Sequence, residues 1–252
     1  MKIGKVLIHF STLASTNAYA TEILAKSEPI DGTVISTDYQ SAGRGQGVNK
    51  WQSHPEKNLL LSVILKPESL QAAQSFSLNL MGSMAVVSLI NDFFPQLNPL
   101  IKWPNDITIK GKKIAGILIR NHLQGQKIIS SICGFGINVN QLSFDQPKNG
   151  WEASSLYLLS GRKIELKTLL ISFLYELDGY YELLQTNPNK LAEFALPNLL
   201  GYKEKLQIVN KITGASLTCL VEEIDICGNL KVKDEMGSIH HIPLADWKIV
   251  NK

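Results

Sequence analysis

The chain has 252 residues, 44% of them hydrophobic, and a formal net charge of +3 from 25 Lys and Arg against 22 Asp and Glu. This length holds one large domain, or one domain with a small satellite, around a buried core. A nucleic-acid-binding protein usually has a more basic balance than this, so the charge argues against that class. The cysteines lack the paired spacing of metal ligands, which predicts reduced thiols in the core of a cytoplasmic protein: Cys133, Cys219 and Cys227.

Hydrophobic spacing predicts helices together with short strands of a meandering sheet, one face of which a long helix covers. The predicted elements are a helix capped by Ser15 or Thr16 and running to Lys26, strands over 32–38 and 58–66, a helix over 70–94, strands over 100–103, 107–109, 114–120 and 127–138, and a helix over 166–184. Polar residues within the longest apolar region, 76–94, make this region a poor membrane span, and a buried or amphipathic helix is the better prediction.

The pattern changes near Pro197 and Gly201 to short strands joined by glycine turns. These predicted strands cover 206–209, 216–225, 230–233 and 239–243. We therefore predict two domains, a large one over 1–198 and a small β-barrel over 199–252.

A glycine-rich loop runs from Tyr39 to Trp51 and contains Gly43, Arg44 and Gly45. Such a loop allows close backbone approach and offers one guanidinium to a phosphate or carboxylate. It is not a P-loop, because neither Ser nor Thr follows Lys50. On its own the loop is equally well a flexible surface turn.

Three further motifs follow, each with an ordinary structural explanation. Residues 102–106 read Lys-Trp-Pro-Asn-Asp, which suits a strand followed by an Asn-Asp turn, with Trp103 in the core. Residues 112–118 form a basic turn that enters an apolar strand. Residues 134–138 place two glycines in a buried strand, which a glycine bulge or a closely approaching ligand explains equally well.

The order and spacing of these motifs together resemble the biotin protein ligase family. The resemblance also includes Ser-Thr-Asn at 15–17 and covers essentially the whole chain. It implies an α+β fold, in which helices cover a mixed β-sheet, as in the class II aminoacyl-tRNA synthetase-like fold of biotin and lipoate ligases. It also implies a small C-terminal Src-homology-3-like β-barrel. It also implies that biotin and ATP, with Mg²⁺, form biotinyl-5′-adenylate, from which the biotinyl group passes to a lysine of a carrier protein.

The resemblance assigns the site residues by their positions in the family pattern. The residues expected to act in catalysis are Arg44 and Lys113. The residues expected to bind biotin are Ser15, Thr16, Asn17, Gln40, Gly43, Arg44, Lys113 and Gly116. The residues expected to bind ATP or the adenylate are Arg44, Gly45, Gln46, Trp51, Asn105, Asp106, Lys113 and Asn138, with Trp51 stacking on adenine and Asp106 holding Mg²⁺ through water.

The family's usual partner is the biotin carboxyl carrier protein or domain of a carboxylase such as acetyl-CoA carboxylase. Family members that also act as repressors carry a DNA-binding domain before the Ser-Thr-Asn motif. Only fourteen residues precede Ser15, so we expect no binding to DNA. We also expect no membrane association and a cytoplasmic location. The sequence leaves open whether the protein forms a homodimer.

Two departures from the family pattern bear on adenylate retention. Many members carry a second Arg where this chain has Gln46, and many have Gly where it has Val48, with Gly47 one place earlier. We hypothesise that the adenylate is held less by charge and more by loop packing.

Two alternative functions stay open. The first is a lipoate or octanoyl ligase, although the Arg-Arg-x-x-Gly-Gly-Gly signature of that class is absent. The second is a non-catalytic binding protein with the same fold, against which the presence of both Arg44 and Lys113 argues.

Overall fold

The computed structural model describes residues 2–47, 49–68, 70–145 and 151–250. Its elements in chain order are β1 (Leu7–Leu13), α1 (Thr16–Lys26), β2 (Thr33–Gln40), β3 (Asn58–Leu65), α2 (Phe76–Phe93), β4 (Leu100–Lys102), β5 (Asp106–Ile109), β6 (Lys112–Gln124), β7 (Lys127–Asn138), α3 (Leu156–Ser160), α4 (Leu166–Thr186), α5 (Pro188–Ala195), β8 (Leu206–Asn210), β9 (Ser216–Ile224), β10 (Leu230–Asp234), β11 (Ile239–Ile242) and β12 (Trp247–Ile249).

The main sheet has seven strands in the order β1-β2-β3-β7-β6-β5-β4. Its β1–β2 pair is parallel and the other pairs are antiparallel, so the sheet is mixed. Helix α1 covers one face, where Ala20 packs against Ile35, Ile64 and Ile132. Helices α2 and α4 contribute to the large core on the other face. The predicted fold class is confirmed.

Helix α2 is the central core helix. By length and composition alone, residues 72–93 would be long and apolar enough to cross a membrane, but 72% of that window is buried inside the protein. Gly82 lets the helix approach the sheet closely, because a Cβ there would lie 2.7 Å from Cε1 of Phe135. Both observations agree with the prediction of a buried helix.

A second, antiparallel sheet of five strands in the order β11-β10-β9-β8-β12 follows in the C-terminal part. It contacts the main sheet through Trp103, whose Nε1 donates a hydrogen bond to the carbonyl of Gly228 at 2.8 Å. Gly228 has a φ of +89°, and a Cβ there would lie 2.6 Å from Cγ of Phe76. This close packing requires glycine. The domain boundary between residues 198 and 199 stays a prediction.

Some local predictions were wrong. The helix predicted over 70–94 is a 3₁₀ turn, Ala72–Gln74, followed by α2. Strand β1 was not predicted because it lies at the sheet edge, where its exposed polar side chains weaken the alternating pattern. Cys133 and Cys219 are buried as predicted, but Cys227 is exposed because it lies in the turn between β9 and β10.

Candidate functional site

The candidate site lies on the face of the main sheet that α1 covers, where three glycines give the strands no side chains. Gly116 of β6 and Gly136 of β7 are direct cross-strand partners, and Asp106 of β5 lies opposite Gly116. Gly134 lies two residues earlier on β7, opposite Ser62 of β3. We call Gly116, Gly134 and Gly136 the glycine floor, because without side chains they let other groups lie on the backbone.

The indole of Trp51 lies on this floor. A Cβ at Gly116 would be 2.9 Å from Cζ3 of the indole, and a Cβ at Gly136 would overlap its six-membered ring at Cε2 and Cζ2. The Trp51 Nε1 group is buried and has no hydrogen-bond partner in the described part of the chain. The glycines are therefore needed to seat this aromatic ring, and the indole keeps an unsatisfied donor.

Lys113 reaches the same face because β6 contains a bulge. Ile107 pairs with Ala115 and Thr108 with Lys113, so Ile114 is an extra residue in β6. In a regular strand without this bulge, Lys113 and Ala115 would share a face because they are two residues apart, and Ala115 is buried in the core. The bulge turns the Lys113 ammonium toward the floor, 5.5 Å from the centre of the Trp51 ring.

Asp106 holds two lysines. Its Oδ1 lies 2.6 Å from Nζ of Lys113 and its Oδ2 lies 3.1 Å from Nζ of Lys102. The three side chains are 13–29% exposed, so water screens them only in part. Lys102 also lies over the ring of Trp151, at 4.9 Å. Two cations against one carboxylate leave a net positive charge, which suits an anionic ligand.

A polar network fixes the start of α1 beside the floor. The backbone N–H of Thr16 donates to Oε1 of Gln40 at 2.8 Å. Ser62 Oγ lies 2.7 Å from Thr16 Oγ1 and 2.5 Å from Asn17 Oδ1. Asn17 Nδ2 donates to the carbonyl of Leu118 at 3.0 Å. The predicted biotin-binding residues Thr16, Asn17 and Gln40 are thus brought together, through a serine that the sequence reasoning missed.

Ser15 occupies the N-cap position of α1, but its side chain makes no capping hydrogen bond. The predicted start of the helix at Ser15 or Thr16 is thus confirmed, but the side-chain hydrogen bond of a cap is absent. The residue is 6% exposed, and no hydrogen bond to any described residue engages its hydroxyl. This hydroxyl is available to a ligand.

The glycine-rich loop forms a short hairpin. Residues 44 and 50 form an antiparallel bridge, and the N–H of Gly45 donates to the carbonyl of Asn49 at 2.8 Å. Gly43 is buried against Trp51, and a Cβ there would lie 2.6 Å from the Trp51 carbonyl oxygen. Gly47 has a φ of +64°, a conformation that glycine adopts without strain, whereas Val48 lies outside the described residues.

Arg44 and Gln46 are exposed on this hairpin. No hydrogen bond or ion pair with the described residues engages the Arg44 guanidinium. Among the described residues, therefore, no hydrogen bond or ion pair connects Arg44 to the Lys113 centre, and the guanidinium is free to bind a ligand.

Two asparagines of the motifs bind the protein's own backbone. Asn105 Nδ2 donates to the carbonyl of Ile117 at 2.8 Å, which ties the turn before β5 to β6. Asn138 Nδ2 donates to the carbonyl of Ser154 at 3.0 Å. Asn138 Oδ1 is buried and accepts no hydrogen bond from the described residues. Asn105 thus has a structural contact, and Asn138 keeps one acceptor for another group.

A family model, the biotin/lipoate A/B protein ligase family, matches residues 10–138. The chain belongs to this family. The match contains all the predicted site residues, from Ser15 to Asn138.

Similar proteins extend the match. The bifunctional ligase/repressor BirA of Bacillus subtilis is 37% identical over 164 residues, 65% of this chain and 50% of that protein. The biotin–[acetyl-CoA-carboxylase] ligase of Mycobacterium tuberculosis is 26% identical over 220 residues, 86% of this chain and 79% of that protein. The chain thus spans about half the length of the first of these relatives.

Solved structures share the fold. The biotin protein ligase of Aquifex aeolicus in complex with biotin and ATP has a TM-score of 0.80 and 23% identity, covering 98% of this chain and 100% of that one. The biotin protein ligase of Leishmania major in complex with biotinyl-5-AMP has a TM-score of 0.65 and 20% identity, covering 94% of this chain and 98% of that one.

The residues of the site do not fit a metal ion held by the protein. Within the described ranges no group of three or more His, Cys, Asp or Glu could hold a metal. Both oxygens of Asp106 contact lysine ammonium groups, and those cations would repel a divalent ion. The expected role of Asp106 in holding Mg²⁺ through water thus gains no support from this geometry.

Proposed function

We propose that the protein is an ATP-dependent biotin protein ligase. It joins the carboxylate of biotin to the α-phosphate of ATP, and pyrophosphate leaves. The biotinyl group then passes to a lysine of a carrier domain. The observation that carries this proposal is the bulge in β6, which places the ammonium of Lys113 over the glycine floor beside Trp51.

The chemical difficulty of the first step is to bring two anions together. A carboxylate oxygen attacks the α-phosphorus while the bond to the pyrophosphate oxygen breaks, and negative charge accumulates at the centre. Lys113 and Lys102, balanced by a single carboxylate, provide fixed positive charge at this point. When biotin binds, the Lys113 ammonium leaves its ion pair with Asp106 and contacts the biotin carboxylate instead.

The ring end of biotin fits the start of α1. The Ser15 hydroxyl is uncommitted, and Thr16 and Gln40 are held in place by their mutual hydrogen bond. A ureido group offers both donors and a carbonyl acceptor, which such a set of hydroxyl and amide groups can match. Gly116 lies against the Trp51 indole and the Lys113 ammonium, so its lack of a side chain lets both groups border the biotin site.

The nucleotide end fits Trp51 and Asn138. One face of the Trp51 indole lies on the floor, so adenine stacks on the other face. The free Oδ1 of Asn138 is an acceptor suited to the exocyclic amine of adenine. Arg44, Gly45 and Gln46 lie on the exposed hairpin and close over the adenylate. Mg²⁺ arrives on the phosphates of the nucleotide, as is usual for this ion.

The second step is attack by the carrier lysine. Its neutral amine forms an amide bond with the biotinyl carbonyl carbon, AMP leaves with the electrons of the anhydride bond, and the amine loses a proton. The partner is a biotin carboxyl carrier domain of a carboxylase. We further propose that the protein is cytoplasmic and binds neither DNA nor membranes. A homodimer is a possible assembly that these observations do not decide.

The test is exchange of labelled pyrophosphate into ATP with biotin, lipoate or octanoate as the acid. We expect stimulation by biotin alone. Lys113→Ala should reduce the exchange about a hundredfold or more, since a preorganised charge is lost. Lys112→Ala is the matched control, because among the described residues the only ion pair of this lysine is with the side chain of Glu152 at the surface. Stimulation by lipoate would indicate a lipoate ligase, and biotin binding without exchange would indicate a non-catalytic protein.

A further inference from the structure

A segment far along the chain holds the main chain of Lys113. The N–H of Lys113 donates to the carbonyl of Glu152 at 2.7 Å, and the N–H of Ser154 donates to the carbonyl of Lys113 at 3.0 Å. These bonds make a parallel bridge between Lys113 and Ala153. We call Glu152, Ala153 and Ser154 the clamp, because together they occupy both main-chain polar groups of the lysine.

Asn138 fixes the clamp to the sheet. Its Nδ2 donates to the carbonyl of Ser154 at 3.0 Å, and the residue is 3% exposed. Asn138 follows Ile137, which pairs with Ala115, so it lies one residue beyond the paired register of β6 and β7. One amide thus connects the end of β7 to the segment that grips Lys113.

The clamp is important because Lys113 lies at a bulge. A bulge disrupts the regular ladder of hydrogen bonds, so neighbouring strands specify the direction of its side chains less firmly. Here the clamp supplies hydrogen bonds to Lys113 on the side of β6 opposite β5, beyond the last residue that pairs with β7. A displacement of about 1 Å in a charged group at a reaction centre costs about a hundredfold in rate.

We propose that Asn138 is a positioning residue for Lys113. Its Nδ2 holds the clamp, the clamp holds the lysine main chain, and the ammonium is thereby fixed over the glycine floor. This inference rests on the proposed function and adds to it, because that function uses the free Oδ1 of this residue as an acceptor for adenine, whereas its Nδ2 acts through the clamp on the lysine. Loss of the amide should therefore impair the chemical step as well as ATP binding.

The test compares Asn138→Asp with Asn140→Asp. Asn140 is the matched control, because its buried amide donates to the carbonyl of Ile164 at 2.7 Å and accepts from the Ile164 N–H at 3.2 Å, away from the clamp. Asn138→Asp replaces the donor by an oxygen that repels the Ser154 carbonyl. We expect kcat of biotin-dependent pyrophosphate exchange to fall about tenfold or more, the equivalent of one buried hydrogen bond. Asn140→Asp should leave kcat within about twofold of wild type.

Two readouts separate positioning from a general structural role. At each pH, kcat of Asn138→Asp is compared with kcat of the wild type. The ratio should rise toward one as the pH falls, because the protonated carboxyl group of the variant again donates to the carbonyl of Ser154. Hydrogen exchange at the amides of Lys113 and Ser154 should accelerate in Asn138→Asp but not in Asn140→Asp. If Asn138→Asp does not fold, Asn138→Ala gives the same comparison of kcat and amide exchange against Asn140→Ala.

A rise in KM for ATP with unchanged kcat would overturn the inference and leave Asn138 as a nucleotide contact alone. Unchanged amide exchange at Lys113 and Ser154 would overturn it as well. If the wild-type protein shows no exchange with biotin, the proposed function fails, yet amide exchange still decides whether Asn138 holds the clamp.

Discussion

The glycine floor and the Gly43–Trp51 hairpin differ in how many of their side chains already contact other residues of the protein. On the floor, Trp51 lies on glycine backbone, and Lys113 is held by Asp106 and by its main-chain hydrogen bonds. On the hairpin, Arg44 and Gln46 are exposed, and the described residues offer the Arg44 guanidinium no partner. We therefore expect recognition to be preorganised on the floor and the hairpin to complete it only when a ligand is present.

The largest expected effect is that of Gly136→Ala. The new methyl group would overlap the Trp51 ring and force it off the floor. Overpacking of this kind lowers the free energy of unfolding by about 1–3 kcal/mol, as chemical denaturation would measure. We also expect loss of biotin-dependent exchange, because the indole no longer lies beside Lys113.

Gly179→Ala is the control for added bulk at a glycine. Gly179 is exposed in α4, and a Cβ there meets no atom within 4 Å. Alanine favours a helix over glycine by about 0.5–1 kcal/mol, so this variant should be slightly more stable and fully active. Equal stability of the two variants would contradict the close contact between the indole and the floor.

Arg44→Ala should have the next largest effect, confined to ligand retention. Because Arg44 is exposed and unpaired among described residues, its removal should change the free energy of unfolding by less than about 0.5 kcal/mol. Loss of a charge-assisted hydrogen bond should speed dissociation of biotinyl-adenylate by about tenfold or more. Lys50→Ala, a second exposed cation of the hairpin, is the control. A large loss of stability in Arg44→Ala would show that the hairpin is more tightly engaged than its contacts indicate.

Gln46→Arg should have a smaller effect in the opposite direction. The substitution restores a guanidinium on the exposed hairpin, so it should slow the escape of biotinyl-adenylate by a few-fold through one more charge-assisted contact. Release of labelled adenylate in a filter assay measures this. Equal leakage from wild type and variant would remove the hypothesis that loop packing replaces charge here.

Thiol labelling gives the smallest signal and reports on the floor itself. Cys133 lies in β7, the strand that carries Gly134 and Gly136, and burial raises its pKa to about 12. Burial also raises the pKa of Cys219 to about 11. Both groups stay protonated at pH 8, so a thiol reagent should modify the exposed Cys227 first and the other two only on unfolding. Rapid labelling of Cys133 in the folded protein would contradict a rigid floor.

The sequence predicted the regular elements because their periodicity is local. The all-buried strand β3 and the long helices have patterns that a short window reveals. The site was harder to predict, because its geometry depends on pairing between distant strands. No local pattern shows that Ile114 is an extra residue in β6, or that this turns Lys113 toward the floor.

Some of the missed residues nevertheless had a signal. Ser62 is a lone hydroxyl in the buried, otherwise largely apolar strand β3, and a buried polar group needs a partner. It could have been paired with the Ser-Thr-Asn motif. Cys227 had the opposite signal, since Gly228-Asn229 beside it indicates a turn, where exposure is usual. The clamp on Lys113 joins positions about forty residues apart and could not be read from spacing.

The most direct test of the difference between floor and hairpin is amide hydrogen exchange with and without biotin and ATP at saturation. We predict strong new protection over residues 43–51 and little change over β3 and β7, which are already protected. Strong new protection of β3 and β7, with none over the hairpin, would contradict a preorganised floor that the hairpin completes.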